Sequence, residues 1–185
     1  MPKIAEIENT PNPNAMKFIL QEPLTWGITH SYENAGQAQG TSELGAALFD
    51  IQHVTNVFYV DRWLTVTQDG EADWDELVRK IAVPIRSAPA AEEQTATTVA
   101  AATTVDISPA DKKRLDAITG LLDEQIRPYL QNDGGDIHVV GLHCNLLSVH
   151  YQGACGTCPS SLSGTLRAIE NLVQSIEPNI EVVAV

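Results

Sequence analysis

Residues 87–105 read SAPAAEEQTATTVAAATTV, and this stretch decides how the rest of the chain is divided. Alanine, threonine, glutamate and proline make up almost all of it, and no large apolar side chain is present that could anchor a core. Burying such a segment would not offset the conformational entropy lost on ordering it. The many β-branched threonines also disfavour an alanine-rich helix. We therefore predict a flexible linker over residues 87–107, joining two small α+β domains at residues 1–86 and 108–185.

The overall composition is that of a globular protein. The chain has 185 residues, of which 43% are hydrophobic and 19% charged. Its net charge of −13 argues against a nucleic-acid binder, which would carry a basic face. No apolar run approaches the roughly 20 residues of a membrane-spanning helix, so we expect no membrane partner. The first residues, MPKIAE, lack the cationic and apolar segments of a secretory signal, which favours a reducing cytoplasm.

The N-terminal domain alternates strand and helix patterns. Residues 4–8 alternate like a strand, and residues 10–14, with two prolines, must form a turn or an extended loop. Further strands are predicted at residues 16–20, 54–60 and 63–67, a short helix at residues 44–49, and a last helix capped by Asp73 with Trp74, Leu77, Val78 and Ile81 at helical spacing. This domain contains all three tryptophans and none of the three cysteines.

The C-terminal domain is predicted to have the order helix, strand, strand, helix, strand. Ser108 and Pro109 suit the N-cap and first turn of a helix that ends near residues 128–130. The following segments are predicted as a turn at residues 132–136, strands at 137–142 and 146–151, a loop at 153–161, a helix with Leu162, Leu166, Ile169 and Val173 on one face, and a strand at 180–185.

Cys155 and Cys158 form a Cys-x-x-Cys pair where a loop enters this second helix. In a reducing compartment, two closely spaced cysteines more often bind metal or react than form a disulfide. A structural zinc site needs about four ligands, and His138, His143, Cys144 and His150 are the other donors nearby. A dithiol oxidoreductase is a second interpretation, with Cys155 as nucleophile and Cys158 as resolving thiol, although the expected βαβ context is absent.

The third interpretation is an iron–sulfur cluster shared between two chains. A cubane cluster takes four thiolates, and one chain supplies two in this motif. A two-fold axis, the commonest symmetry of oligomers, would bring two identical pairs together. Gly153 and Gly156 would leave room for the inorganic core, and free N–H groups at the helix entrance would offset its negative charge.

Longer motifs in both domains resemble a known family. PYLQNDGGD (residues 128–136) followed by QGACGTCPSS (residues 152–161) is similar to the NifU C-terminal domain of iron–sulfur scaffold and carrier proteins. TPNPNAMKF (residues 10–18) and ADWDEL (residues 72–77) resemble the Nfu N-terminal domain. The two resemblances cover nearly the whole chain outside the predicted linker.

The resemblance implies a carrier rather than an enzyme. Members of the family bind a 4Fe-4S cluster, with a 2Fe-2S cluster as an alternative, in a homodimer, and pass it to apo iron–sulfur proteins. An upstream assembly scaffold would donate the cluster, and the N-terminal domain would dock partners. Residue by residue, Cys155 and Cys158 match the family's ligands. Asp133, Gly134 and Gly135 also match, and backbone geometry for a tight turn is the expected role of these residues.

One position departs from the family's pattern. The family commonly has a plain polar or glycine turn between the two strands, where this chain has Cys144. An incidental turn residue is the expectation, with a resolving thiol or transient ligand as the alternative. No part of the chain resembles the desulfurase-dependent assembly domain of long NifU proteins, which favours a late-acting carrier.

Overall fold

The computed structural model describes residues 2–89, 109–156 and 159–185, with the backbone alone for residues 109–110 and 159–163. The chain forms two compact units, which lie within residues 1–99 and 100–185. Each unit combines helices with one sheet, which confirms the predicted α+β class. The predicted linker from residue 90 onward lies outside the described residues. Among the described helices, none has the length and apolar character needed to cross a membrane.

The N-terminal unit is built on a five-stranded antiparallel sheet. Its elements are β1 (Ile4–Asn9), β2 (Ala15–Leu20), β3 (His30–Tyr32), α1 (Ala35–Ala38), α2 (Glu43–Phe49), β4 (Val54–Val60), β5 (Trp63–Gln68) and α3 (Trp74–Ser87). The strands lie in the order β1-β2-β5-β4-β3. The predicted strands and helices are all present. The sequence analysis missed β3 and α1, which are too short to show a period.

The core of this unit forms between one face of the sheet and helices α2 and α3. Alternate residues of the central strands are buried in this core: Phe18, Leu20, Val57, Tyr59, Leu64 and Val66. Leu77 and Ile81 supply the helical side, as their spacing predicts. The side chain of Asp73 accepts from the backbone N–H of Asp75 at 2.8 Å, which confirms it as the N-cap of α3. The helix continues to Ser87, and Ala88 is buried in the same core, so these first two residues of the predicted linker at 87–107 belong to the N-terminal unit.

The C-terminal unit is a three-stranded sheet with helices on one face. Its elements are α4 (Pro109–Gln125), α5 (Arg127–Asn132), β6 (Gly135–His143), β7 (Leu146–Gly153), α6 (Pro159–Gln174) and β8 (Glu181–Ala184). β7 pairs antiparallel with β6 and parallel with β8. The predicted order is confirmed, with one addition: the first helix ends at Gln125 and α5 follows. Pro128 has no N–H to continue the helical ladder but is tolerated in the first turn of a new helix.

The core of the C-terminal unit places the cysteine loop beside the helices. Ile137, Val149 and Tyr151 of the sheet are buried in one cluster with residues of α4 and α6: Ile118, Leu122, Ile169 and Val173. α6 begins at Pro159, inside the segment predicted as a loop at residues 153–161. Cys155, two residues beyond the end of β7, belongs to the same buried cluster, so the end of β7 is tied to the core.

Candidate metal centre

Cys155 lies two residues beyond the end of β7, in a turn that leads toward α6. Its side chain is 4% exposed and belongs to the hydrophobic core of the C-terminal unit. Cys158, the second predicted ligand, lies outside the described residues. The structure thus locates one of the two predicted ligands, and the pairing of Cys155 with Cys158 stays a prediction.

Four glycines shape the turn around Cys155, two of them through their backbone angles. Gly134 and Gly153 have φ angles of 78° and 66°, in the left-handed region that side chains other than glycine rarely adopt. The backbone N–H of Ala154 donates to the carbonyl oxygen of Gly134 at 3.1 Å, which joins the turn before β6 to the turn after β7. The sequence-based expectation of a geometric role holds for Gly134.

The other two glycines are required by space. Gly135 packs directly against the side chain of Cys155, with no room for a Cβ atom. A Cβ on Gly156 would lie 2.9 Å from the carbonyl oxygen of Tyr151. The sequence analysis assigned Gly135 to turn geometry and Gly156 to room for a ligand. In the structure both allow the polypeptide itself to pack closely around Cys155.

An ion pair joins the buried Asp136 of β6 to Arg127 of α5, whose side chain is 32% exposed. Asp136 is 3% exposed, and its Oδ1 lies 3.5 Å from Nε of Arg127, an ion pair without a hydrogen bond. The same Oδ1 accepts from the backbone N–H of Ile137 at 2.8 Å. Burial raises the pKa of Asp136, and the positive charge of Arg127 opposes that rise. Arg127 is also anchored by Asp123, with Nη2 to Oδ1 at 3.0 Å.

Tyr151 places an unsatisfied hydroxyl group in the same core. The side chain is 5% exposed, and its Oη has no hydrogen-bond partner among the described residues. Tyr151 and Cys155 belong to the same buried cluster. Burial raises the pKa of Tyr151, and Cys155 raises it further. The sequence analysis missed Tyr151, Arg127 and Asp136 as neighbours of the site. The one signal available was the apolar context of Tyr151 on a predicted strand, since Asp136 was assigned to the predicted turn at residues 132–136.

The other candidate ligands lie away from Cys155. His138 and His150 face each other across β6 and β7 and alternate with the core residues, so they lie on the opposite face of the sheet. The Nδ1–H of His150 donates to the carbonyl oxygen of Val185 at 2.7 Å. A one-chain zinc site formed with these histidines would need them on the face of the sheet where Cys155 is buried. Neither histidine lies on that face.

Cys144 occupies the turn between β6 and β7, at the far end of the hairpin. It is exposed and has a φ angle of 56°. β7 is eight residues long, so at about 3.3 Å per residue its ends are roughly 23 Å apart. Cys144 and Cys155 of one chain are therefore too distant to bind the same cluster. His143, the last residue of β6, is also exposed.

Comparison with known proteins gives matches in both units. A family model described as "Scaffold protein Nfu/NifU N terminal" matches residues 4–91. A second, described as "NifU-like domain", matches residues 118–184, a range that includes both Cys155 and Cys158. The two family models match the N-terminal and C-terminal units in the order expected from the sequence motifs.

Similar proteins are found in animals and bacteria. The human protein named "NFU1 iron-sulfur cluster scaffold homolog, mitochondrial" is 33% identical over 182 residues, which cover 95% of this chain and 69% of that protein. The Drosophila ananassae protein of the same name is 30% identical, and the match covers 62% of its length. A solution NMR structure from Staphylococcus epidermidis is 34% identical, with a TM-score of 0.34, over 43% of this chain and 90% of that one.

Proposed function

The chain belongs to the Nfu family of iron–sulfur cluster scaffold proteins, and from that membership we propose that it carries a cluster bound by Cys155 and Cys158. The cargo is a 4Fe-4S cluster, which needs four thiolates, and two chains supply them as two pairs. The observation that carries the proposal is the match of the NifU-like domain across a segment with two closely spaced cysteines. A 2Fe-2S cluster is the alternative cargo.

The environment of Cys155 sets a condition on cluster loading. Its side chain is 4% exposed, and the turn is held by hydrogen bonds from Ala154 N–H to Gly134 and from Gly156 N–H to Gly153. A sulfur atom in that position has to move outward before it can bind iron shared with a second chain. We infer that loading opens the turn at residues 154–156, at the expense of these two hydrogen bonds.

Release of the cargo follows from the small number of ligands per chain. An incoming thiolate from an apo iron–sulfur protein replaces one cysteine at a time, and each exchange breaks one iron–sulfur bond and forms another. No electron is transferred, so the step is ligand exchange rather than catalysis. An upstream assembly scaffold would load the protein by the reverse exchange. The N-terminal unit, matched by the Nfu N-terminal family model, is proposed to dock these partners.

The rival function, thiol–disulfide exchange, would need the same opening of the turn as cluster loading, so the burial of Cys155 does not decide between the two. The attacking thiol of a dithiol oxidoreductase needs access to the substrate disulfide. Cys155, the expected nucleophile, is almost completely buried.

The predicted cytoplasmic location stays a prediction, since the two named animal relatives are mitochondrial.

Anaerobic reconstitution of the full chain with iron and sulfide tests the proposal. We expect about four irons per two chains, a dimeric mass in solution and the Mössbauer spectrum of a 4Fe-4S cluster. Cys155→Ala and Cys158→Ala should each abolish cluster binding, and the control Cys144→Ala should leave the iron content unchanged. A loaded monomer, or equal loss of iron in all three variants, would contradict the assignment. A colourless protein that reduces disulfides would favour the oxidoreductase.

A further inference from the structure

A second group of metal-binding side chains lies in the N-terminal unit. His53, just before β4, and Asp69 and Glu71, just after β5, meet at the open end of the β4–β5 hairpin. One potential ligand atom from each residue lies within 4.8 Å of the other two. Within the described residues, no other three histidine, cysteine or acidic side chains come together in this way.

Hydrogen bonds of the backbone and the side chains hold these three residues together. The N–H of Asp69 donates to the carbonyl oxygen of His53 at 3.1 Å, and Nδ1 of His53 lies 2.9 Å from Oδ2 of Asp69. The N–H of Glu71 donates to Oδ1 of Asp69 at 2.9 Å. The side chain of Gln68 makes two hydrogen bonds to the backbone of Ala72. Its Oε1 accepts from the N–H at 2.9 Å, and its Nε2 donates to the carbonyl oxygen at 3.0 Å, which fixes the loop between Gln68 and Ala72.

A polar cavity of about 290 Å³ opens beside the three residues. It is lined by His53 and Glu71 and by four further polar side chains: Gln52, Asp73, Glu76 and Lys80. Lys80 is paired with Glu76 at 2.7 Å, which leaves an excess of carboxylates around the cavity. Water would supply the remaining ligands of an ion at the mouth of this cavity. The negative charge of the surrounding carboxylates would favour a cation.

The donor set selects the class of ion. One imidazole nitrogen and two carboxylate oxygens suit first-row divalent metals, which accept both donor types, better than Ca²⁺ or Mg²⁺, which prefer oxygen alone. Two donors at about 2.1 Å from one ion are at most about 4.2 Å apart. The three ligand atoms lie within 4.8 Å of one another, so a small side-chain rotation would close the triad. We propose that His53, Asp69 and Glu71 bind one divalent first-row transition-metal ion, independently of the cysteine loop.

The test uses Co²⁺ and Zn²⁺ with the full chain in a thiol-free background, Cys144→Ser, Cys155→Ser and Cys158→Ser. This background cannot hold a thiolate-bound cluster, so the result does not depend on the function proposed above. We expect calorimetric titration to show one saturable site per chain, and bound Co²⁺ to lack thiolate charge-transfer absorption.

Variants of the triad decide whether these residues form the site. His53 has a φ angle of 76°, which asparagine tolerates, so His53→Asn removes the ligand and keeps the backbone. It should weaken metal binding at least tenfold, and Asp69→Asn should do the same while keeping an oxygen that accepts from Glu71. The matched control His138→Asn should bind the ion as before. Absence of a saturable site, or unchanged affinity in His53→Asn, would overturn the proposal.

Discussion

The sulfur atom of Cys155 lies 2.5 Å from the position that a Cβ atom on Gly135 would occupy. That Cβ would also lie 2.8 Å from the carbonyl oxygen of Gln152. Real Cβ atoms essentially never approach other atoms so closely, and one of these two obstacles is rigid backbone. The first residue of β6 therefore sets how deeply the cysteine side chain can enter the core.

Gly135→Ala should consequently disturb the cysteine turn without introducing any polar or charged group. The added methyl group must displace the Cys155 side chain or the end of β7, and overpacking of this kind costs about 1–3 kcal/mol. We expect the free energy of unfolding of the C-terminal unit to fall by that amount. Far-UV circular dichroism in urea measures it. Tryptophan fluorescence should not change, because Trp26, Trp63 and Trp74 all lie in the N-terminal unit.

Gly141→Ala is the matched control on the same strand. A Cβ at Gly141 would meet no atom within 4 Å, and its φ angle is not in the left-handed region. The free energy of unfolding should therefore change by less than about 0.5 kcal/mol. Similar losses in Gly135→Ala and Gly141→Ala would contradict the prediction, because they would show that contact with Cys155 does not decide the effect.

The sequence predicts the elements of this fold better than their contacts. Leu77 and Ile81 lie on one face of α3 because helical spacing alone places them there. The meeting of Gly135 with Cys155 depends on the register of β6 and β7, which a bulge between Val139 and Gly141 shifts by one residue. Counted from the turn, where His143 pairs with Leu146, Gly135 would face Ala154. The bulge moves that pairing to Gly153, and the sequence carries no clear signal for it.

The same limit applies to the side chains around the candidate ligand. The Cys-x-x-Cys motif was recognisable because its two residues are close in sequence. Tyr151 could be placed on a strand, but the burial of its hydroxyl group without a partner follows from packing against two helices. The group of His53, Asp69 and Glu71 was missed for a related reason, since it forms only when the open ends of β4 and β5 are brought together.

Tyr151→Phe should stabilise the C-terminal unit of the apo protein. The hydroxyl group is buried with no hydrogen-bond partner among the described residues, and removing such a group recovers about 1 kcal/mol. Urea unfolding followed by circular dichroism measures the change. Tyr59→Phe is the matched control, because the hydroxyl of Tyr59 lies 2.8 Å from Oγ of Ser42 and its loss should destabilise the N-terminal unit by a similar amount. Destabilisation by Tyr151→Phe would reveal a hydrogen bond that the apo structure lacks.

Asp136→Asn should change the pH dependence of stability. Burial raises the pKa of Asp136 in the folded chain, so the folded state holds its proton more tightly than the unfolded state. The stability that the protonated Asp136 side chain adds to the folded state is fully present below the unfolded pKa of about 3.9. It is lost as the pH rises through the folded pKa. The difference in unfolding free energy, variant minus wild type, should thus increase as the pH rises from about 4 to 7. Parallel curves for the two proteins would contradict a raised pKa.

Arg114→Met should lower the unfolding free energy of the C-terminal unit, because Arg114 holds the end of the unit that carries Cys144. The guanidinium group of Arg114, on α4, donates to the carbonyl oxygen of Cys144 at 3.0 Å and to Oε1 of Glu177 at 3.1 Å. Methionine keeps the apolar stem but loses these bonds and those to Asp111 and Asn145. Because the side chain is 27% exposed and water replaces part of the interaction, we expect a loss of about 1 kcal/mol in unfolding free energy. Lys113→Met, one position earlier on the exposed surface of the same helix, should have little effect. Equal unfolding midpoints for the two variants would mean that Arg114 contributes no more than a surface charge.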